Sequence, residues 1–300
     1  MSTTTYYSKR IIGVFFSAVF LCAGLLFVVQ FLDVNGPNIQ KDFVEVVGAL
    51  AGEIEQTASL PIINTNLTKE ETIQFQYIEV TESCGAHFNG DECLNVRKGP
   101  GVSFPTVTQL RNGIVLKVED LIVNDEGEWY KIVFDEWLRY PNRVSDNWYI
   151  SANFVRPFFN SGAKDILLND EIPSTAKQIV IVRSKQTLTA YEGEEIFMET
   201  SISTGLDLSP TPRGTFTIFR RTPTRYMQGP IPNIPGSDYY DLPGVPWNLY
   251  FTNEGAVIHG AYWHNSFGTK YSHGCVNLNP TTAETLYHWA DLGTKVIVKD

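Results

Sequence analysis

The chain has 300 residues, 43% of them hydrophobic, with 23 Lys plus Arg against 33 Asp plus Glu and a formal net charge of -10. That apolar content excludes disorder throughout and suffices for about two folded domains, while the acidic balance excludes bulk attraction to a nucleic-acid backbone. Aromatic residues at 13%, with 23 Gly and 16 Pro, favour many short strands and turns over long helices.

Residues 1–10 read as a polar tail ending in Lys9 and Arg10. From Ile11 to Val29 no side chain is charged, and Phe31 and Leu32 extend the run, so residues 11–32 are long enough to cross a bilayer as one helix. The run ends without the small residues of a cleavage site, and Leu21 is not the small residue that a lipidated Cys22 would follow, so an uncleaved transmembrane anchor is expected. Two basic residues before it and Asp33 after it place the tail in the cytoplasm and the rest of the chain outside, as a single-pass protein of the cell membrane.

Residues 33–76 read as a connector, with Phe43, Val47, Leu50 and Ile54 at the spacing of a short amphipathic helix that Pro61 ends. Residues 33–175 carry a net charge of -11 and residues 176–300 only -1, which marks a boundary between two regions. Cys84 and Cys93 stand nine positions apart and either close a small disulfide loop in an oxidising compartment or stay as buried thiols. Pairing them leaves Cys275 alone on the outer side, as a reactive group or a small buried hydrophobe.

Residues 77–158 hold short β-rich runs at 77–80, 106–110, 115–119, 129–134 and 148–150, separated by Gly, Pro, Asn and Asp, which predict a small all-β barrel. Residues 176–300 predict further strands at 178–183, 187–191, 196–204, 214–219, 247–252, 256–261 and 296–298. One helix precedes the last of these: Asn279 caps it, Pro280 opens it, Ala283, Leu286, Tyr287 and Ala290 share a face, and Gly293 follows its end. The segment 220–244, rich in Pro, Gly and Tyr, reads as too irregular for core and is expected to be a lid or a cleft wall. The fold class is therefore mainly β.

The chemistry concentrates in Tyr271, Ser272, His273, Gly274, Cys275, Val276 and Asn277, just after the strand that delivers His259 and Gly260. A nucleophilic Cys needs a base in reach, an acceptor that orients the base, and backbone donors for the oxyanion. His259 is the candidate base, the Gly260 carbonyl the orienting acceptor, and the amides around His273, Gly274 and Cys275 the donors. His264, His288 and His87 are assigned to surface or packing roles, with contact to substrate left open for His264. Tyr239, Tyr240, Trp247, Tyr250 and Trp263 are either wall of a donor site or core. No Cys-x-x-Cys or His-Glu-x-x-His pattern occurs, so no metal is expected, and no phosphate loop or dinucleotide fingerprint occurs, so no cofactor is expected.

Two resemblances follow from these motifs. Leu94, Asn95, Val96, Arg97, Lys98, Gly99, Pro100 and Gly101, with Trp129, Tyr130 and the closing Trp148, Tyr149 and Ile150, resemble the bacterial Src-homology-3-like domain, departing from it in the cysteine loop and in an insertion at 135–147. That resemblance implies either wall or peptide binding or a spacer role. The His259–Gly260 pair, Gly268 and the run Ser272 to Asn277, preceded by Ser203-Thr204-Gly205 and Thr211-Pro212-Arg213-Gly214, are similar to the signature of L,D-transpeptidase catalytic domains.

This second resemblance implies Cys275 as nucleophile, His259 as general base, and His273, Gly260 and Gly274 as further members of the catalytic set. Ser272, Asn277, Tyr250 and Trp263 become candidate substrate-binding residues. The implied partners are peptidoglycan stem peptides as donor and acceptor, joined by 3-to-3 cross-links on the cell-wall side of the membrane. An L,D-carboxypeptidase using the same site, and a wall-binding scaffold without catalysis, stay open as alternatives.

Overall fold

The structure, a computed structural model, describes residues 73–86, 93–166, 175–230 and 239–300. These belong to one compact unit that runs from Glu71 to Asp300. The expected anchor at 11–32, the connector helix and His87 lie outside the described residues. Among the described residues no helix is long and apolar enough to cross a membrane.

The barrel expected at 77–158 is a seven-stranded antiparallel sheet. It comprises β1 (Phe75–Val80), β2 (Leu94–Arg97), β3 (Thr106–Leu110), β4 (Val115–Asn124), β5 (Gly127–Ile132), β6 (Trp148–Ser151) and β7 (Val155–Asn160), in the order β3-β2-β6-β5-β4-β1-β7. Alternation sends Ile78 and Val80, Val96, Tyr130 and Ile132, and Trp148 and Ile150 inward, where they form one core with Leu110 and Leu116. Burying each such aliphatic side chain contributes ~1.5–3 kcal/mol. Cys84 and Cys93 are joined as a disulfide at the edge of this core.

The C-terminal part packs two five-stranded sheets. The strands are β8 (Lys164–Asp165), β9 (Lys177–Val182), β10 (Thr187–Glu192), β11 (Glu195–Ser201), β12 (Gly214–Thr217), β13 (Arg220–Pro230), β14 (Tyr239–Tyr250), β15 (Val257–Gly260), β16 (Val276–Leu278) and β17 (Lys295–Lys299). One sheet runs β11-β10-β9-β17-β12 and the other β16-β15-β14-β13-β8. Between them lies a core that includes Ile179, Ile181, Leu188, Leu249, Ile258, Val276 and Val298. The helix α1 (Pro280–Trp289) adds Ala283, Leu286, Tyr287 and Trp289 to that core. Its cap is the Asn279 side chain, which accepts from the Thr281 N–H at 3.1 Å.

The segment 220–244 differs from its expectation. Instead of irregular chain it contributes β13 and the first part of β14, a long antiparallel pair whose register slips between Arg225 and Met227. The bulge and the edge contacts accommodate prolines that a continuous central ladder would not. Nor is it excluded from core: Tyr226 is buried inside the barrel's apolar cluster, with Met227 and Leu242 packed against it, beside Val245 and Tyr262 that follow the segment. Thr224 Oγ1 donates to the Val115 carbonyl across the same seam. The barrel and the C-terminal sheets therefore share a core along this hairpin.

Candidate active site

The parallel pair β15 and β16 builds the site. Ile258 pairs with Val276, His259 with Asn277 and Gly260 with Leu278. Because side chains alternate, Ile258, Val276 and Leu278 enter the core, and His259, Asn277 and, one step before the ladder, Cys275 project from the other face. This alternation brings together on one face the thiol and the imidazole that stand sixteen positions apart in sequence.

His259 is 2% exposed, and its Nδ1 lies 2.9 Å from the Gly260 carbonyl oxygen. A carbonyl only accepts, so Nδ1 carries the proton and Nε2 keeps its lone pair. Burial holds the ring's pKa down at about 4, against a weaker opposing effect of the Gly260 carbonyl, so the imidazole is neutral at pH 7. The ring lies 5.6 Å from the Trp263 ring, centroid to centroid.

Cys275 is the free cysteine of the described residues and is partly exposed. Its thiol donates to the Gly255 carbonyl at 3.9 Å, so the sulfur's own hydrogen bond goes to the chain entering β15 and none joins it to His259. Burial raises its pKa, offset in part by the Val257 backbone N–H. Thiol and imidazole are thus both uncharged at rest.

The loop before β16 is fixed by short side chains. Ser272 Oγ donates to the Cys275 carbonyl at 2.5 Å and accepts from the Gly274 N–H at 3.2 Å. Thr211 Oγ1 donates to the same carbonyl at 3.2 Å and accepts from the Gly205 N–H at 2.9 Å. Ser209 Oγ donates to the His273 carbonyl at 2.9 Å. Gly274 has φ of +116°, a conformation that only glycine adopts without strain, which explains a glycine directly before the thiol. A Cβ on Gly205 would sit 2.1 Å from the Ser209 carbonyl oxygen, so the Ser-Thr-Gly and Thr-Pro elements touch through their backbones.

Among the candidate residues, Ser272 and Asn277 are buried and turn their polar groups inward. Tyr250 is partly buried, with a pKa raised to about 12 chiefly by that burial. His273 is exposed, on the open side of the loop.

His264, expected at the surface or in a packing role, is packed inside the domain against Asn277. It is 3% exposed, accepts from the Ser266 N–H through Nδ1 at 3.1 Å, and its Nε2 lies 2.9 Å from the amide of Asn277. The facing amide atom is Asn277 Nδ2; an acceptor at Nδ1 of a neutral ring puts the proton on Nε2, so the consistent assignment turns the amide over, with Oδ1 toward His264. That orientation also gives a partner to Asn277 Oδ1, otherwise buried with none. The Tyr271 and Phe267 rings pack against it at 4.2 and 4.9 Å between centroids. The one available signal was the pairing of His264 with Asn277 on facing segments, which spacing alone does not reveal.

Residues 176–298 match the family model of the L,D-transpeptidase catalytic domain, and residues 93–147 that of a bacterial SH3 domain. The C-terminal region is an L,D-transpeptidase catalytic domain. It is 32% identical over 112 residues to the probable L,D-transpeptidase 3 of Mycobacterium tuberculosis, spanning 36% of this chain and 40% of that protein. It is 31% identical over 119 residues to L,D-transpeptidase 1 of the same organism, spanning 38% and 47%. The chain thus spans under half the length of these two curated relatives.

Solved structures similar to this chain include an L,D-transpeptidase from Mycobacterium smegmatis, at 22% identity and a TM-score of 0.40 over 57% of this chain and 91% of that one. The catalytic domain of the Enterococcus faecium enzyme is similar at 24% identity and a TM-score of 0.36, over 41% and 95%. Within the L,D-transpeptidase domain, the family match contains the whole β15–β16 site.

Proposed function

We propose that the chain is a cell-wall L,D-transpeptidase that joins peptidoglycan stem peptides by 3-to-3 cross-links through an acyl-enzyme on Cys275. The observation that carries this reading is the Nδ1 contact of His259 with Gly260, which leaves Nε2 as a neutral base on the same strand face as the partly exposed thiol.

Cys275 Sγ attacks the carbonyl of the third, diamino-acid residue of a donor stem, and its proton passes to His259 Nε2. The tetrahedral intermediate expels the terminal D-alanine, whose nitrogen takes that proton, and a thioester remains. The side-chain amine of an acceptor stem attacks the thioester, gives its proton to Nε2, and the departing sulfur recovers it. The neutral resting pair means that the proton moves with the attack rather than before it. The His273 and Cys275 amides would serve the oxyanion, since the Gly274 N–H is held by Ser272.

Residues 11–32 are proposed as a single membrane anchor with the catalytic domain on the wall side. The Cys84–Cys93 disulfide supports an oxidising compartment. A topology reporter fused after Asp300 is expected to be active only outside the cytoplasm; activity inside would overturn this placement.

Incubating the protein from about residue 38 onward with stem tetrapeptides and weighing the products tests the reaction. Cross-linked dimers support transpeptidation; tripeptides alone would assign the site to hydrolysis, and no acyl-enzyme would leave a scaffold.

A further inference from the structure

The contact that orients His259 is braced from outside the catalytic domain. We propose, resting on the reading of His259 as general base, that the barrel turn at 110–113 is a positioning element for that imidazole, acting through Pro280 on one path and through Tyr262 and Trp263 on another.

The turn joins β3 to β4 and is held rigid by bonds within the barrel. The Gly113 N–H donates to the Val80 carbonyl at 2.8 Å, the Val80 N–H to the Ile114 carbonyl at 2.9 Å, and the Asn112 N–H to the Cys84 carbonyl at 2.9 Å. Asn112 Nδ2 donates to the Ser83 carbonyl at 2.7 Å. Ser83 Oγ donates to the Leu110 carbonyl at 2.6 Å and accepts from the Leu94 N–H at 2.8 Å. Because Cys84 is joined to Cys93, the turn is fastened to both arms of the disulfide loop.

Gly113, with φ of +84°, carries this turn against the catalytic domain. A Cβ there would lie 2.9 Å from Pro280 Cγ and 3.6 Å from Tyr262 Cβ, so the glycine backbone touches both residues. Pro280 opens α1 and abuts Gly260, where a Cβ would lie 3.0 Å from Pro280 Cα and 2.8 Å from Pro246 Cγ. The Gly260 carbonyl is the group that holds His259 Nδ1 at 2.9 Å. On the second path, Tyr262 is buried in the barrel's core and its hydroxyl donates to the Pro243 carbonyl at 2.8 Å. Trp263 packs on the same cluster and sets its ring 5.6 Å from that of His259, centroid to centroid. The acceptor that selects the tautomer and the ring that flanks the imidazole therefore both lean on the barrel. Close-packed contacts transmit a displacement, and a misplacement of about 1 Å at a reacting group costs about 10²-fold in rate.

The test compares the full chain with its Gly113→Ala variant and with Gly127→Ala as control. Gly127 is a second left-handed glycine of the barrel, with φ of +109°, but a Cβ there would meet none of the described atoms within 4 Å. Its substitution strains the backbone without pressing on the catalytic domain. Ring 15N shifts of His259 in the free protein, assigned by their loss in His259→Gln, report which nitrogen carries the proton. The concentration dependence of acyl-enzyme formation with a stem tetrapeptide separates kcat from KM.

The wild type is expected to hold the proton on Nδ1. Gly113→Ala is expected to populate the second tautomer and to lower kcat about tenfold with KM within twofold, as a displacement of a fraction of an ångström implies. Gly127→Ala is expected to lower the melting temperature while leaving ring shifts and kcat as in the wild type. Asn112→Ala, which cuts the tie to Ser83 without adding bulk, is expected to act in the same direction by about threefold, and it decides the matter if Gly113→Ala does not fold. Wild-type ring shifts in Gly113→Ala, or in Asn112→Ala where that variant stands in, would overturn the proposal. So would equal slowing by Gly113→Ala and Gly127→Ala, since that is the signature of general destabilisation. If the wild type forms no acyl-enzyme while the ring shifts still respond to Gly113→Ala, the transpeptidase reading fails and the positioning of His259 by the barrel stands.

Discussion

The nucleophile loop and the hairpin seam are held by different means. Around Cys275 the bonds are short and backbone-centred: Ser272 and Thr211 share the Cys275 carbonyl, Ser209 holds His273, and Gly274 supplies a turn that other residues resist. Along the seam the contacts are made by long charged side chains between residues some ninety positions apart, such as Glu136 with Arg225 and Arg143 with Asp241. The first arrangement fixes the proposed nucleophile, where a small displacement costs a large factor in rate. The second joins two domains, where ion pairs that are partly solvated tolerate adjustment.

Substitutions in the two regions should separate accordingly. The largest effect is expected from Cys275→Ala, which removes the acyl-enzyme altogether while leaving the melting temperature near that of the parent; intact-mass measurement with a stem peptide or a carbapenem checks it, and any remaining adduct at this position excludes Cys275 as nucleophile. His259→Gln is expected to slow acylation by about 10²-fold or more, through loss of the general base. Single-turnover kinetics within threefold of wild type would remove His259 from that role.

In the seam, Glu136→Ala leaves the Tyr226 N–H and Arg225 without their acceptor, in a place where burial already raises the carboxyl's pKa. The expected loss is about 1–3 kcal/mol of stability. Denaturant unfolding measures it, and an unchanged midpoint would show that the clamp is dispensable.

A further effect concerns pH. His259 and His264 are both buried with pKa values lowered to about 4, mainly by desolvation, so the unfolded chain binds more protons than the folded one between about 4 and 6.5. Their contribution is complete above pH 6.5 and is lost as pH falls toward 4, at up to ~1.4 kcal/mol per pH unit for each ring. Replacing His264 by Gln should flatten that slope by about half; an unchanged slope would place the titrating groups elsewhere.

The site's residue types were readable in the chain because the nucleophile loop is contiguous. A Cys between His-Gly and Val-Asn, a His-Gly pair upstream and the Ser-Thr-Gly element each carry their own chemistry, and strand alternation then puts odd-numbered His259, Cys275 and Asn277 on one face. The short β runs of the barrel were similarly visible, as was α1 from Asn279 and Pro280. The hairpin was not: prolines and glycines in 220–244 read as loop, because the barrel core that Tyr226 and Val245 fill lies far away in sequence. The partner of His264 was not legible for the same reason, since the amide it meets stands thirteen positions later.

Local chemistry by itself determined the mainly β class, the L,D-transpeptidase motif and Cys275 as the cysteine left over by the Cys84–Cys93 pair, because turn residues, alternation and a short loop are properties of neighbouring residues. Only the tertiary structure decided that the barrel and the C-terminal sheets share a core and that His264 meets Asn277. Those facts rest on which polar groups find partners once distant segments are packed, and a linear sequence does not contain that accounting.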